Sequence, residues 1–189
     1  MKACKIKPVS FRNSVAMTGK NLKLRAIEPS DIDLLYRWEN NTSIWHISNT
    51  VAPFSRFVLE QYVLNSHEDI FSSKQLRLMI ELTKNQLTVG AVDLFDFEPL
   101  HRRVGLGILI AEENRGQGFA SEALDLILSY CFETLMVHQV YCNISISNEI
   151  SKELFKSKGF QFSGTKKDWL LINNQWVDEF LLQKINPLT

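Results

Sequence analysis

Residues 104–132, Val104 to Phe132, read VGLGILIAEENRGQGFASEALDLILSYCF, and their order decides the fold. A strand-like apolar run closes near Ile110, a short polar stretch follows, and Arg115-Gly116-Gln117-Gly118-Phe119-Ala120 turns a corner. Beyond it Leu124, Ile127, Leu128, Cys131 and Leu135 keep helical spacing, with Glu122, Asp125, Ser129 and Glu133 on the opposite stripe. The plain reading of the corner is a flexible glycine loop. The chemical reading is an anion cradle: N–H groups at a helix start carry partial positive charge, glycine lets the backbone approach closely, and Arg115 adds a cation. No Gly-Lys-Ser/Thr follows and the GxGxxG spacing fails at Ala120, so neither a Walker loop nor a dinucleotide fingerprint is present. Gly105 and Gly107 lie inside the preceding strand, where glycine marks a bulge or a close approach.

Outward from this stretch the chain alternates between strands and helices. Leu22, Leu24 and Ala26 alternate with Lys23 and Arg25 as in a half-buried strand. Ser30 is the expected N-cap of a short helix carrying Ile32, Leu35 and Tyr36, with Asp31 and Asp33 in its first turn. A second helical segment spans about 55–66, and Gln75–Leu82 and 87–97 form a hairpin around Thr83–Gln86. After the amphipathic helix, QVYCNISI places Val140, Cys142, Ile144 and Ile146 on one face of a strand. Asn148 caps a helix ending at Gly159, and the stretch from Gly164 is a hairpin turning at Asn173-Asn174. The order βααβββαβαββ predicts a mixed α/β (α+β) fold with an antiparallel meander and one βαβ crossover. Residues 1–20 read as a tail or added arm, and 21–187 as a single domain.

Composition narrows the function. The chain has 189 residues, 45% hydrophobic and 22% charged, and its 21 basic and 21 acidic side chains cancel. That balance argues against a nucleic-acid or anionic-membrane partner. No apolar run approaches the ~20 residues that span a bilayer, and the N-terminal stretch lacks the apolar core of a signal peptide; a cytoplasmic protein is expected. Cys4, Cys131 and Cys142 form no CxxC pair, and His46, His67, His101 and His138 match no metal-ligand spacing, so no metal site is expected.

Two motifs carry a family resemblance. RGQGFASEAL is similar to the acetyl-CoA pyrophosphate motif of the GNAT N-acetyltransferase superfamily, Arg/Gln-x-x-Gly-x-Gly/Ala, through Arg115, Gly118 and Ala120. NEISKELFKSKGF resembles that superfamily's later motif, an Asn followed by a helix ending in Gly-Phe. VDLFDFEPLHRRVGLGILI and DWLLINNQWVDEF are most similar to the branch of spermidine and ribosomal-protein N-terminal acetyltransferases. The resemblance implies a GNAT fold: a mixed, mostly antiparallel twisted sheet of six or seven strands, helices on both faces, and a splayed acetyl-CoA cleft.

The implied function is transfer of an acetyl group from acetyl-CoA to a primary amine: a polyamine, another small amine or a protein N-terminus. A homo-oligomer fits the same resemblance. A CoA-binding sensor or interaction domain without turnover is the alternative. The cofactor's pantetheine arm would meet the backbone of Leu109, Ile110 and Ala111. Its pyrophosphate would meet Arg115, Gly116, Gln117, Gly118, Phe119, Ala120 and Ser121, and its other side Asn148, Ser151, Lys152 and Phe155. An alkylamine with a pKa near 10 must lose a proton before attack, which points to Asp93 and Asp96 as base or substrate ligands. A free amide near Leu109 or Ile110 would serve the oxyanion. Many relatives protonate the leaving thiolate with a Tyr where this chain has Phe155; Tyr141 or Ser151 are the substitutes on offer. The stretch 39–55 supplies only Glu39 as an acid, fewer than the spermidine enzymes carry, and Trp45, Trp169 and Trp176 are aromatic candidates for a substrate wall.

Overall fold

Period-two alternation and period-3.6 apolar stripes generate the elements. The structure, a computed structural model, describes residues 17–43, 45 and 50–187. It contains β1 (Leu22–Ala26), α1 (Ile32–Glu39), α2 (Arg56–Leu64), a one-turn α3 (Ile70–Ser73), β2 (Leu76–Leu82), β3 (Thr88–Glu98) and β4 (Arg103–Ile110). Then come α4 (Phe119–Ser129), β5 (Gln139–Ser145), α5 (Glu149–Ser157), β6 (Gln161–Ile172) and β7 (Gln175–Ile185). Residues 1–16 of the expected arm lie outside the described residues; Met17–Lys20 fold back on β1, with Leu24 N–H on Met17 O at 2.8 Å.

The seven strands form one sheet in the order β1-β2-β3-β4-β5-β7-β6. Every neighbouring pair is antiparallel except β4 and β5. These two run parallel because α4 forms the crossover between them, and they pair over only three rungs, Arg103–Gln139, Val104–Val140 and Gly105–Tyr141. Past that last rung the strands separate. The mixed, mostly antiparallel sheet with a splayed centre is the expected architecture.

Directly paired strand residues share a face, and successive residues alternate faces. One face meets α4 and α5, and its core gathers Leu24, Ile80, Val92, Leu106, Leu124, Ile127, Val140, Cys142 and Phe155. The other meets α1 and α2 through Ile27, Leu35, Leu59, Val63, Met79 and Ala91. Cys131 and Cys142 are buried free thiols, each pushed up by burial and so unreactive, Cys131 to about 12.

Local details differ from expectation where a tertiary partner intervenes. Ser30 does not cap α1. Pro29–Asp31 form a 3₁₀ turn, capped by Glu28, and Asp31 Oδ2 accepts the Glu28 N–H at 2.9 Å. Asp31 also takes Arg25 at 2.7 and 2.8 Å, which fixes the turn against β1. Ile146 falls outside β5, which ends at Ser145, and is exposed. The Asn173-Asn174 turn has φ of 49° and 61°, the left-handed pair a two-residue hairpin requires.

Candidate active site

The cleft between β4 and β5 is built by main-chain direction. The Ala111 N–H donates to Val89 O of β3 at 2.9 Å, and the Ala111 carbonyl accepts Asn114 N–H at 2.8 Å. Both main-chain groups of Ala111 are thus engaged within the protein, its N–H toward β3 and its carbonyl toward the turn at Asn114. In an antiparallel ladder, residues bonded to the partner alternate with residues turned away from it. With register Ala91–Leu109 and Gly90–Ile110, Leu109 faces β3, while Ile110 and Ile108 turn their amides toward the gap. The Arg115 Nε on the Ile110 carbonyl, at 3.1 Å, marks that outward side. Ile108 is thus a gap-facing residue that sequence patterning missed; strand parity combined with the Ala111 anchor identifies it.

The glycine-rich corner presents its donors. Gly116 and Gly118 have φ of 75° and 81°, a conformation L side chains rarely adopt, and a Cβ on either would meet nothing within 4 Å. Gly118 stands at the N-cap of α4, and Glu122 is the first residue to bond back, to Gly118 O at 3.2 Å. Among the described residues, the amides of Gly116, Gln117, Gly118, Phe119, Ala120 and Ser121 have no protein acceptor. Such a run of unengaged N–H groups, open to solvent at a helix start, fits the diphosphate of a coenzyme A. The Arg115 amide is not part of it, being bonded to Glu112 O at 3.3 Å.

Across the gap, Asn148 Oδ1 accepts the Ser151 N–H at 3.1 Å, so it caps α5. Lys152 pairs with Glu149 and lies 5.7 Å from the Phe180 ring. Phe155, proposed for the cofactor's edge, is 3% exposed and packs edge-on against Phe160 at 5.0 Å. It belongs to the core beneath the cleft and has no proton to give.

The α1/α2 face of the sheet carries the acid groups. Asp93 pairs with Arg77 and with Gly107, Phe95 with Gly105, and Gly105 with Tyr141, so these residues share one surface. Gly105 is needed there: a Cβ would lie 2.3 Å from the Phe95 ring. Phe95 in turn meets Tyr141 edge-on at 5.9 Å. A bulge between Phe95 and Glu98 puts Asp96 at φ 49°, and its Oδ2 accepts the Tyr141 hydroxyl at 3.2 Å. Burial first, and Asp96 second, push the Tyr141 phenol up to about 12. Tyr141 thus holds Asp96 in place through its hydroxyl. The structure does not bring Ser151, on the α5 side, into this group.

Beside it lies a cleft of about 310 Å³, lined by Glu39, Phe54, Val58, Tyr62, Arg77, Asp93 and Phe95 among others. Arg77 donates to Asp93 at 2.6 and 3.0 Å and to Glu39. Burial works against the guanidinium charge, but the two carboxylates more than offset it and its pKa is raised. Trp45 Nε1 bonds Glu39 O at 2.8 Å, whereas Trp169 and Trp176 are 58% and 64% exposed on the β6–β7 hairpin. His46 lies outside the described residues. Among the described residues no group of three or more His, Cys, Asp or Glu is placed to hold a metal, and no helix is long and apolar enough to cross a membrane.

A splayed β4–β5 pair with a donor-rich corner beneath α4 defines a class of acyltransferase. The model for the GNAT acetyltransferase domain matches residues 21–161, and the chain belongs to that family. It is an acetyl-CoA-dependent N-acetyltransferase. The chain is 28% identical to a spermidine N(1)-acetyltransferase of Vibrio cholerae over 163 residues, 85% of this chain and 90% of that one. It is 34% identical to the ribosomal protein uS5-alanine N-acetyltransferase of Escherichia coli K12, over 43% of this chain and 42% of that one. The crystal structure of the Vibrio cholerae spermidine enzyme with CoA and spermine superposes at TM-score 0.80 and 25% identity, covering 87% and 95% of the two chains. Another structure of that enzyme, at TM-score 0.74 and 27% identity over 87% and 94%, is dodecameric.

Proposed function

We propose that the acceptor amine lies over the Asp93–Gly107–Gly105–Tyr141 surface, at the mouth of the 310 Å³ cleft, and that Asp96 removes its proton. The observation that carries this assignment is the difference between the two carboxylates. Both carboxylate oxygens of Asp93 are occupied by Arg77, while Asp96 is exposed and takes only the Tyr141 hydroxyl. Asp93 and Glu39 then serve as ammonium ligands whose charge Arg77 partly neutralises.

In this reading acetyl-CoA supplies the acetyl group as a thioester. The amides from Gly116 to Ser121 hold its diphosphate, the gap-facing groups of Ile108 and Ile110 its pantetheine arm, and one of those two amides stabilises the developing oxyanion. With Phe155 in the core, that position supplies no acid, and the thiolate leaves tolerably unaided at a thiol pKa of roughly 8.5. The test is thiol release with an amine panel for the wild type and Asp96→Asn. Loss of turnover with retained CoA binding supports the assignment, and full turnover in the variant overturns it. A homo-oligomer and a cytoplasmic location belong to the same reading, supported by the dodecameric relative and by use of a metabolic thioester.

A further inference from the structure

We infer that the side-chain amide of Asn143 is a fixed hydrogen-bond donor to the acceptor, and that the preferred acceptor is an amine with a carbonyl oxygen beside its nitrogen, rather than an alkyl polyamine. This rests on the acetyl-transfer reading above and narrows it.

Asn143 lies on β5 two residues beyond Tyr141, on the same face and on the first stretch past the last β4–β5 rung. Its Oδ1 accepts from Lys166 Nζ at 3.0 Å, and Lys166 also donates to Glu179 Oε2 at 2.9 Å. An ammonium only donates, so the atom facing it has to be the amide oxygen. The NH₂ group is therefore turned away from Lys166, and chemistry rather than choice of rotamer fixes which atom is which. Lys166 is itself anchored, since Glu179 is only 7% exposed and a buried carboxylate without its cation is strongly unfavourable. The Trp169 ring, 4.8 Å from Nζ, closes the other side. Among the described residues neither Nδ2 proton of Asn143 has a protein acceptor.

A donor held at that point selects its ligand. A polyamine at neutral pH offers ammonium groups, which donate and cannot accept, so it gains nothing from Asn143. An α-amino carbonyl compound places an oxygen next to its amine and uses the donor. Charge agrees with this choice. Of the carboxylates around this site, Glu39 and Asp93 are paired with Arg77 and Glu179 with Lys166, while among the described residues Asp96 and Glu98 have no ion pair. Most of the acid here is thus already paired, which leaves little charge for a polycation.

The experiment compares kcat/KM for alaninamide, an alanine-initiated hexapeptide and spermidine in the wild type, Asn143→Ala and Asn143→Asp, with melting temperatures to confirm folding. The expected result is a wild-type preference for the carbonyl-bearing amines over spermidine of at least about tenfold. Both variants should reduce that preference by about 10- to 100-fold, the range of one hydrogen bond to a charged or transition-state partner. Similar rates for alaninamide and hexapeptide indicate a small-molecule source, and a gain with length a polypeptide source. Preference for spermidine, or a selectivity ratio indifferent to Asn143, overturns the inference and leaves acetyl transfer standing. Acetylation of none of the three, with CoA still raising the melting temperature, overturns the acetyl-transfer reading itself.

Discussion

Arg77 grips Asp93 through two hydrogen bonds, at 2.6 and 3.0 Å, and reaches Glu39 with its remaining arm. The guanidinium ties β2, β3 and the end of α1 together at the rim of the acceptor cleft.

That tie separates two carboxylates that look alike in sequence. Asp93→Ala should destabilise the protein by about 2 kcal/mol, because a half-buried guanidinium loses its main partner. Asp96→Asn should leave the melting temperature within about 2 °C of wild type while cutting kcat by about 10²–10⁴-fold. Denaturant curves and steady-state rates on the two variants decide it; a reversed pattern exchanges their roles.

The glycine corner predicts a graded series. Gly118→Ala meets no neighbour but forces an L side chain to φ 81°, costing about 1 kcal/mol. Gly118→Glu adds bulk and negative charge where the diphosphate belongs, and should abolish the rise in melting temperature produced by saturating CoA. An undiminished CoA shift in a folded Gly118→Glu protein would mean the phosphates sit elsewhere.

Two glycines of β4 should behave oppositely. Gly105→Ala drives a Cβ to 2.3 Å from the Phe95 ring and should destabilise by about 1–3 kcal/mol. Gly107→Ala meets Asp93 Cβ at an ordinary 3.9 Å and should fold normally. It narrows the floor beside Asp93, so the expected effect is a higher KM for the amine with little change in KM for acetyl-CoA.

Acid should weaken the Arg25 cluster. Burial acts to raise the Asp31 pKa, but the Arg25 guanidinium and the Glu28 N–H more than offset it, leaving the folded-state value below the ordinary one. Glu81, bonded by Lys23 and Arg25, is lowered in the same way. A depressed carboxylate contributes stability that is full above its unfolded pKa, about 4, and is lost as pH falls through the folded value. The melting temperature should therefore drop steeply below about pH 4, and Asp31→Asn should flatten that drop while lowering the plateau near neutrality.

Most of the fold could be read from periodicity and punctuation. Alternation at Leu22–Ala26, the stripe from Leu124 to Cys131 and the Asn173-Asn174 turn are local signals, and the elements form where those signals lie. The cofactor corner was legible because its glycines and its helix start are contiguous. What stayed hidden depends on distant partners. Asp31 looked like a first-turn charge because nothing near it reveals Arg25, and Arg77 went unnoticed because its two acids come from other elements. Asn143 does have a local signal: if Cys142 faces the core, its neighbours face the opposite side.

Only three residue pairs join β4 to β5. The half-sheet β1–β4 and the half-sheet β5–β7 therefore meet through a narrow seam, flanked by the α4 crossover. A ligand lying in the wedge takes the place of a missing strand and staples the halves along their length. Hydrogen exchange should show β5 and β7 opening together, ahead of β2 and β3, in the ligand-free protein, and the two opening steps should merge once coenzyme A is bound.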